Sequence, residues 1–264
     1  MEYKKNIFTI EDNIGVISMN FPSNLNAIDM EMVEELLSIL EECEKNPEVK
    51  VVVIKSAGKA FSAGGDIGYF YKNIQAGGDI NMDDLIEKAG LVSLNIKNMS
   101  KMVITSVNGA AAGAGANLAL SGDFVVAADN AKFIQAFINL GLVPDTGGTF
   151  LLSKTIGPAR AMELCATGRP LGAEEAKAWG LVYQVCPKEE LEEQTMKLAK
   201  KLTAGPLIAY GALKKQFFEA NYADYGKYLA DGEVPTQRTC ISSEDFKEGV
   251  CAFIEKRKAE FQGK

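Results

Sequence analysis

The chain contains no histidine. That absence removes the Ser-His-Asp triad, the Cys-His pair and every His-ligated metal site, so no metal is expected. Acid–base work must fall to Asp, Glu, Lys, Tyr or Cys. Cysteine is scarce and scattered. Cys43, Cys165, Cys186, Cys240 and Cys251 are odd in number and form no C-x-x-C pair. They are expected to be free, buried thiols in a reducing compartment, the cytoplasm. No apolar run is long enough to span a bilayer, so no membrane partner is expected. Met1–Ile10 lacks an apolar core followed by small residues, and no signal peptide is expected. Basic charge is not in excess either. A net charge of −7 argues against a nucleic-acid partner but permits an anionic small molecule held by a few local cations.

What is present suits one sizeable core, or a core with a short appendage: 264 residues, 47% of them hydrophobic. Phe8–Ile10 and Ile14–Met19 read as strands joined by a turn at Asp12-Asn13, and Pro22 follows the second. Asp29 is placed to cap a helix over Met30–Lys45, stopped by Asn46-Pro47. Val49–Ile54, Met102–Val107 and Phe124–Ala128 read as buried strands. Helices are expected over Asp84–Asn98, Ala114–Leu120, Asp145–Thr155, Ala159–Thr167, Ala173–Trp179, Leu191–Thr203, Pro206–Ala220 and Glu244–Gln262. Gly77–Asp84 reads as a mobile loop. Strands and helices alternate to about residue 190 and helices follow. This is an α/β core, residues 1–195, with a helical C-terminal region, 196–264. There is no internal sequence repeat.

Two small-residue turns stand out. Gly58–Ile67 contains Ala63-Gly64-Gly65-Asp66, and Val107–Leu118 contains Gly113-Ala114-Gly115. Neither is a P-loop. Gly113-Ala114-Gly115 fails as a dinucleotide fingerprint because Leu118 stands where the third glycine belongs. Its plainest reading is close packing of a helix on a sheet. Together, two such turns from neighbouring strands could aim two backbone N–H groups at one oxygen, as an oxyanion hole does. Asp145, in Val143-Pro144-Asp145-Thr146-Gly147-Gly148, is either a helix N-cap or a catalytic carboxylate. Lys59 and Lys256 read as surface charges, and Trp179 as core.

These residues carry a family resemblance. Asn26-Ala27-Ile28, Gly58–Ile67, Val107–Leu120, Gly141–Asp145, Gly172–Ala176 with Trp179–Val182, and Glu244–Gly249 with Ala252-Phe253 resemble, in order and over nearly the whole chain, the enoyl-CoA hydratase/isomerase (crotonase) superfamily. The resemblance implies an α/β spiral of βα turns with C-terminal helices that trimerise, and trimers that often pair into hexamers. It implies an acyl-CoA ligand, coenzyme A being part of the substrate and no other cofactor required. The thioester oxygen would sit between the N–H groups of Gly65 and Ala114. Leu25–Ala27 and Ala63–Ile67, with Leu25, Ala27, Ala63, Asp66 and Ile67, would line the adenine and pantetheine. Phe253 and Lys256 resemble residues that reach the CoA of a neighbouring subunit.

The departures from the pattern are informative. The two glutamates that hold water in the hydratases match Asn117 and Phe137 here, which would instead face substrate. An amide and a phenyl ring cannot activate water. Asp145 matches an aspartate found in dienoyl-CoA isomerases, 4-chlorobenzoyl-CoA dehalogenases and the ring-1,2-epoxyphenylacetyl-CoA isomerases. Dienoyl isomerases need two further acids and dehalogenases a histidine, all absent. The resemblance therefore implies a single-carboxylate isomerase taking 3-enoyl-CoA to 2-enoyl-CoA, with Asp145 moving a proton from C2 to C4. Alternatives are the aryl-epoxide isomerisation, a hydratase working by another route, and a silent acyl-CoA-binding protein.

Overall fold

The computed structural model describes residues 3–78 and 80–264. Met1 and Glu2 of the N-terminal stretch, and Asp79 of the Gly77–Asp84 loop, lie outside the described residues. The first strands, β1 (Asn6–Glu11) and β2 (Ile14–Met19), form a hairpin. Its turn residues Asp12 and Asn13 both have positive φ, 51° and 65°, the twist a two-residue hairpin turn demands. Helix α1 (Met30–Lys45) starts where Asp29 accepts a hydrogen bond from Met32 N at 3.0 Å. Three windings follow. Each sends a long strand to one sheet and a three-residue strand to a second. They are β3 (Val51–Ser56), β4 (Ala60–Ser62) and helix α2 (Ile67–Gln75); β5 (Met102–Val107), β6 (Ala110–Ala112) and α4 (Ala114–Leu120); and β7 (Phe124–Ala128), β8 (Lys132–Ile134) and a 3₁₀ turn, Ala136–Leu140. Helix α3 (Asp83–Asn98) lies between the first two windings.

The chain then forms α5 (Gly148–Ile156), α6 (Pro158–Thr167), β9 (Pro170–Gly172), α7 (Ala173–Ala178) and β10 (Gln184–Cys186). Only helices follow: α8 (Leu191–Thr203), α9 (Leu207–Asn221), α10 (Tyr225–Tyr228), a π turn over Leu229–Glu233, α11 (Val234–Ile241) and α12 (Glu244–Glu255). The larger sheet runs β1-β2-β3-β5-β7-β10, parallel beyond the hairpin; the smaller runs β4-β6-β8-β9. This is the expected α/β spiral with C-terminal helices.

Alternation along the central strands sorts the core. Ile17, Met19, Val52 and Ile54 pack on one face of the large sheet, while Ile14, Val16, Val51 and Val53 pack on the other, beneath α8. A third cluster, with Phe70, Ile86, Phe137, Leu140, Tyr225 and Phe246, joins the C-terminal helices to α2 and α3. Cys43 and Cys186 are buried, while Cys165, Cys240 and Cys251 are only partly so; all five are free. No helix among the described residues is long and apolar enough to cross a membrane.

Two helices begin or end several residues short of expectation, each for a backbone reason. The helix expected from Asp145 starts at Gly148, because Thr146 and Gly147 adopt left-handed φ of 55° and 80°. The helix expected to reach Gln262 ends at Glu255, where Lys256 turns left-handed at 56°.

Asn26 ties the segment before α1 to the first winding. It is fully buried, and its Nδ2 donates to the carbonyls of Ala57, Ala60 and Phe61 at 2.9, 3.2 and 3.3 Å. Its Oδ1 accepts from Phe21 N at 2.8 Å, and its own carbonyl accepts from Ser62 Oγ at 2.7 Å. Asn26→Ala leaves several of these groups buried and unpaired. It is expected to lower stability by on the order of 3 kcal/mol in urea unfolding, and a loss below about 0.5 kcal/mol would contradict this role.

Candidate active site

Two turns from adjacent windings meet at one cavity. The first leaves β4 through Ala63-Gly64-Gly65, and the second leaves β6 through Gly113 into α4. Gly64 and Gly113 have φ of 83° and 52°, a region L side chains rarely adopt. A Cβ on Gly64 would stand 2.6 Å from the Ala112 carbonyl oxygen and 3.5 Å from Gly113 Cα, so the two turns touch backbone to backbone. Gly115 serves packing: a Cβ there would lie 2.5 Å from the Ser62 side chain. Gly65 and Ala114 both line the cavity. Among the described residues, neither backbone N–H finds a hydrogen-bond partner. Two unpaired donors at the edge of an apolar cavity suit an oxygen that gains negative charge.

The rest of the wall is apolar except for one carboxyl. Ile28, Ile67, Phe70, Met82, Leu85 and Phe137 line it, and Asp145 is the sole titratable group among the described lining residues. The cavity volume is about 60 Å³. Asp145 is 7% exposed. Burial pushes its carboxyl up to about 6, opposed by hydrogen bonds from Thr146 Oγ1 at 2.9 Å and Gln237 Nε2 at 3.2 Å. Asp145 is not a helix N-cap: Gly147 holds that place, with no side-chain cap bond. The neighbouring Thr146 is a β-branched residue held at φ 55°, strain of roughly 1–2 kcal/mol kept beside the carboxyl.

The two residues at the hydratase glutamate positions differ in fate. The Phe137 ring forms part of the wall. Asn117 does not line the cavity. Its Nδ2 donates to the Asp145 carbonyl at 2.7 Å and its Oδ1 accepts from Gln135 Nε2 at 2.8 Å, so its amide bridges the Asp145 loop to the residue before the Ala136–Leu140 turn. Ala63 and Ile67 line the cavity; Leu25, Ala27 and Asp66 lie outside the lining. Leu25 is partly exposed, its carbonyl accepting from Ala63 N, and Ala27 is buried. Asp66 caps α2 through Tyr69 N at 3.0 Å. Phe253 and Lys256 are exposed at the end of α12, also outside the lining. Sequence reading missed Thr146, Glu233, Gln237 and Tyr225, all buried around the Asp145 loop. Gly226, Gly232 and Pro235 interrupt their helical pattern, and a Glu and a Gln four apart look like a solvated face.

Comparison with known proteins agrees with this architecture. A family model described as enoyl-CoA hydratase/isomerase matches residues 9–264. The chain is 36% identical over 264 residues to a trans-2-decenoyl-[acyl-carrier-protein] isomerase of Streptococcus mutans, covering 100% of both chains. It is 38% identical over 258 residues to a 1,2-epoxyphenylacetyl-CoA isomerase of Escherichia coli, covering 97% of each. An enoyl-CoA hydratase structure from Mycobacterium avium subsp. paratuberculosis superposes with a TM-score of 0.90 at 31% identity, over 99% of this chain and 100% of that one. Motifs, spiral fold and paired turns thus converge, and the chain belongs to the enoyl-CoA hydratase/isomerase family.

Proposed function

We propose that this enzyme is a double-bond isomerase that converts a 3-enoyl thioester to the conjugated 2-enoyl thioester with Asp145 as its one base. The observation that carries the reading is the lining: one carboxyl, two unpaired backbone donors and otherwise apolar groups. The thioester oxygen faces Gly65 N–H and Ala114 N–H. Asp145 takes a proton from C2, the π electrons shift to form a dienolate, and the two donors stabilise the oxygen anion. The same carboxyl returns the proton at C4. A carboxyl near 6 is a far better base than an exposed aspartate and still ionised at neutral pH. Phe137 and the apolar wall keep water from the intermediate, which disfavours hydration.

The aliphatic wall groups Ile28, Ile67, Met82 and Leu85 suit an unbranched acyl chain, and the aryl epoxide is the second reading, drawn from the Escherichia coli relative. The carrier is coenzyme A or an acyl carrier protein; the names of the two relatives support one each. Exposed Ile208, Leu213 and Phe217 on α9 support a homo-oligomer, a trimer or a pair of trimers.

The protein is expected to give a mass-neutral gain of conjugation from trans-3-hexenoyl-CoA and to add no water to trans-2-hexenoyl-CoA. Asp145→Asn is expected to lower kcat by about 10²–10⁴-fold with little change in KM. Near-wild-type turnover in the variant, or hydration by the wild type, would overturn the single-base scheme.

The same variant carries a stability signature. Between the ordinary value of 3.8 and about 6, the folded chain keeps a proton that the unfolded chain has released. Stability therefore falls as pH rises through that window, by about 3 kcal/mol for some two pK units. Asp145→Asn is expected to be more stable than wild type at pH 8 by up to that amount, with the gain vanishing at pH 4. Urea unfolding at the two pH values checks it, and an equal difference at both would contradict the buried charge.

A further inference from the structure

Behind the cavity wall, two polar side chains with no place in the scheme above are sealed from solvent. Glu233 is 1% exposed and Gln237 0%. They stand one helical turn apart, Glu233 closing the π turn and Gln237 on α11. A π turn adds a residue to a helical turn and re-aims the side chains around it, and such turns recur at functional sites. Here both side chains face the loop that carries Asp145. Gln237 Nε2 donates to Asp145 Oδ2 at 3.2 Å, while its Oε1 accepts from Val143 N at 3.1 Å. Both oxygens of Glu233 accept from Gly147 N at 3.0 Å. The Tyr225 hydroxyl, bonded to Ser93, presses on Gly147 so closely that a Cβ there would overlap it.

We propose that Glu233 and Gln237 are positioning residues of the base: Gln237 orients the Asp145 carboxylate, and Glu233 clamps the strained loop that presents it. The proposal rests on Asp145 being that base. A structural clamp alone needs no acid, since an amide oxygen accepts an N–H equally well. The carboxyl adds charge coupling. Burial, and then the charge of Asp145, push Glu233 up to about 8, while burial pushes Asp145 up to about 6. At neutral pH the pair holds one negative charge, on Asp145, with the proton on Glu233. Above about 8 Glu233 ionises and a second charge arrives beside the one the reaction uses.

The other groups bearing on the pair are few. Tyr225 and Tyr228 of α10 feel the Glu233 charge, and burial pushes both phenols up. Tyr228 bonds Thr149 of α5 and feels Cys165 of α6. Cys240 of α11 is bonded by the Val143 backbone. Among the described residues no lysine or arginine offsets either carboxyl.

The test uses the whole protein with carbon-13 carboxyl labels on Asp and Glu. The wild type is expected to show buried carboxyl steps near 6 and near 8, Glu233→Gln only the lower one, and Asp145→Asn a single step moved below 8. In isomerase assays Glu233→Gln keeps the neutral-pH rate within about threefold and loses the wild-type fall above pH 8. Gln237→Ala and Glu233→Ala lower kcat roughly ten- to a hundredfold with KM nearly unchanged. A Glu233 step that ignores the Asp145→Asn change, or an alkaline fall that survives in Glu233→Gln, would overturn the proposal. If Glu233→Ala fails to fold, the Asp145→Asn titration still decides. Coupled titrations in a wild type that isomerises no enoyl thioester would instead sustain the coupled pair and defeat the assignment of the reaction.

Discussion

One carboxyl kept dry is the constraint on which this site depends. Asp145 sits 7% exposed in an apolar wall, and taking such a charge out of water costs several kcal/mol unless neighbours answer it. Thr146 and Gln237 answer in part, with one hydrogen bond each. No cation does so among the described residues, and that restraint has a chemical meaning. A lysine or arginine beside Asp145 would hold its proton affinity down and leave a poor base. Neutral donors orient the carboxyl and let burial keep it near 6. On the proposed reading, the instability this creates is the usual burden of a catalytic group.

The second requirement is an anion site that adds no charge of its own. On the proposed reading, two βα turns meet it with backbone alone, which accounts for the small residues in their sequences. Gly64 is needed because the chain turns left-handed against the Ala112 carbonyl, and Gly113 because its own φ is positive. Ala114 can carry a methyl group because the proposed role uses only its backbone N–H and it lies in α4 with helical backbone. Asn26 and Ser62 fix the first turn from beneath: the Ser62 hydroxyl donates to the Asn26 carbonyl and accepts from Gly64 N at 3.2 Å. The acid and the donors thus come from separate windings, and the spiral fold is what brings them to one cavity.

Much of this was legible in the chain, and unevenly so. Long periodic elements such as Met30–Lys45, Met102–Val107 and Leu191–Thr203 could be placed to the residue, because burial on a helix stripe or a sheet face leaves a clear pattern. The three-residue strands β4, β6, β8, β9 and β10 left none; each is too short to show a period. The cavity residues Gly65, Ala114 and Phe137 could be named only through the family resemblance; the small-residue turns and the Pro-Asp-Thr-Gly-Gly loop are local signals that marked the turns and left Asp145 as either a helix cap or a catalytic carboxylate. Asn117, expected to face substrate, stands outside the cavity lining, since position in a motif does not reveal that its amide already bonds Gln135 and the Asp145 carbonyl. Glu233 and Gln237 were invisible for a deeper reason. Their meaning depends on a contact across some ninety residues of sequence, and nothing in Gly232-Glu233-Val234-Pro235 announces it.

The central claim is that one carboxyl carries a proton between two carbons of the same substrate in a space closed to water. The most direct measurement is turnover, in ordinary water, of a 3-enoyl thioester deuterated at C2, with the product read by NMR and mass spectrometry. If Asp145 works alone in a dry cavity, a substantial share of the deuterium is recovered at C4 of the conjugated product, and Asp145→Asn abolishes the transfer. Complete loss to solvent of the deuterium removed from C2, with none recovered at C4, or a hydrated product, would contradict a single sheltered base.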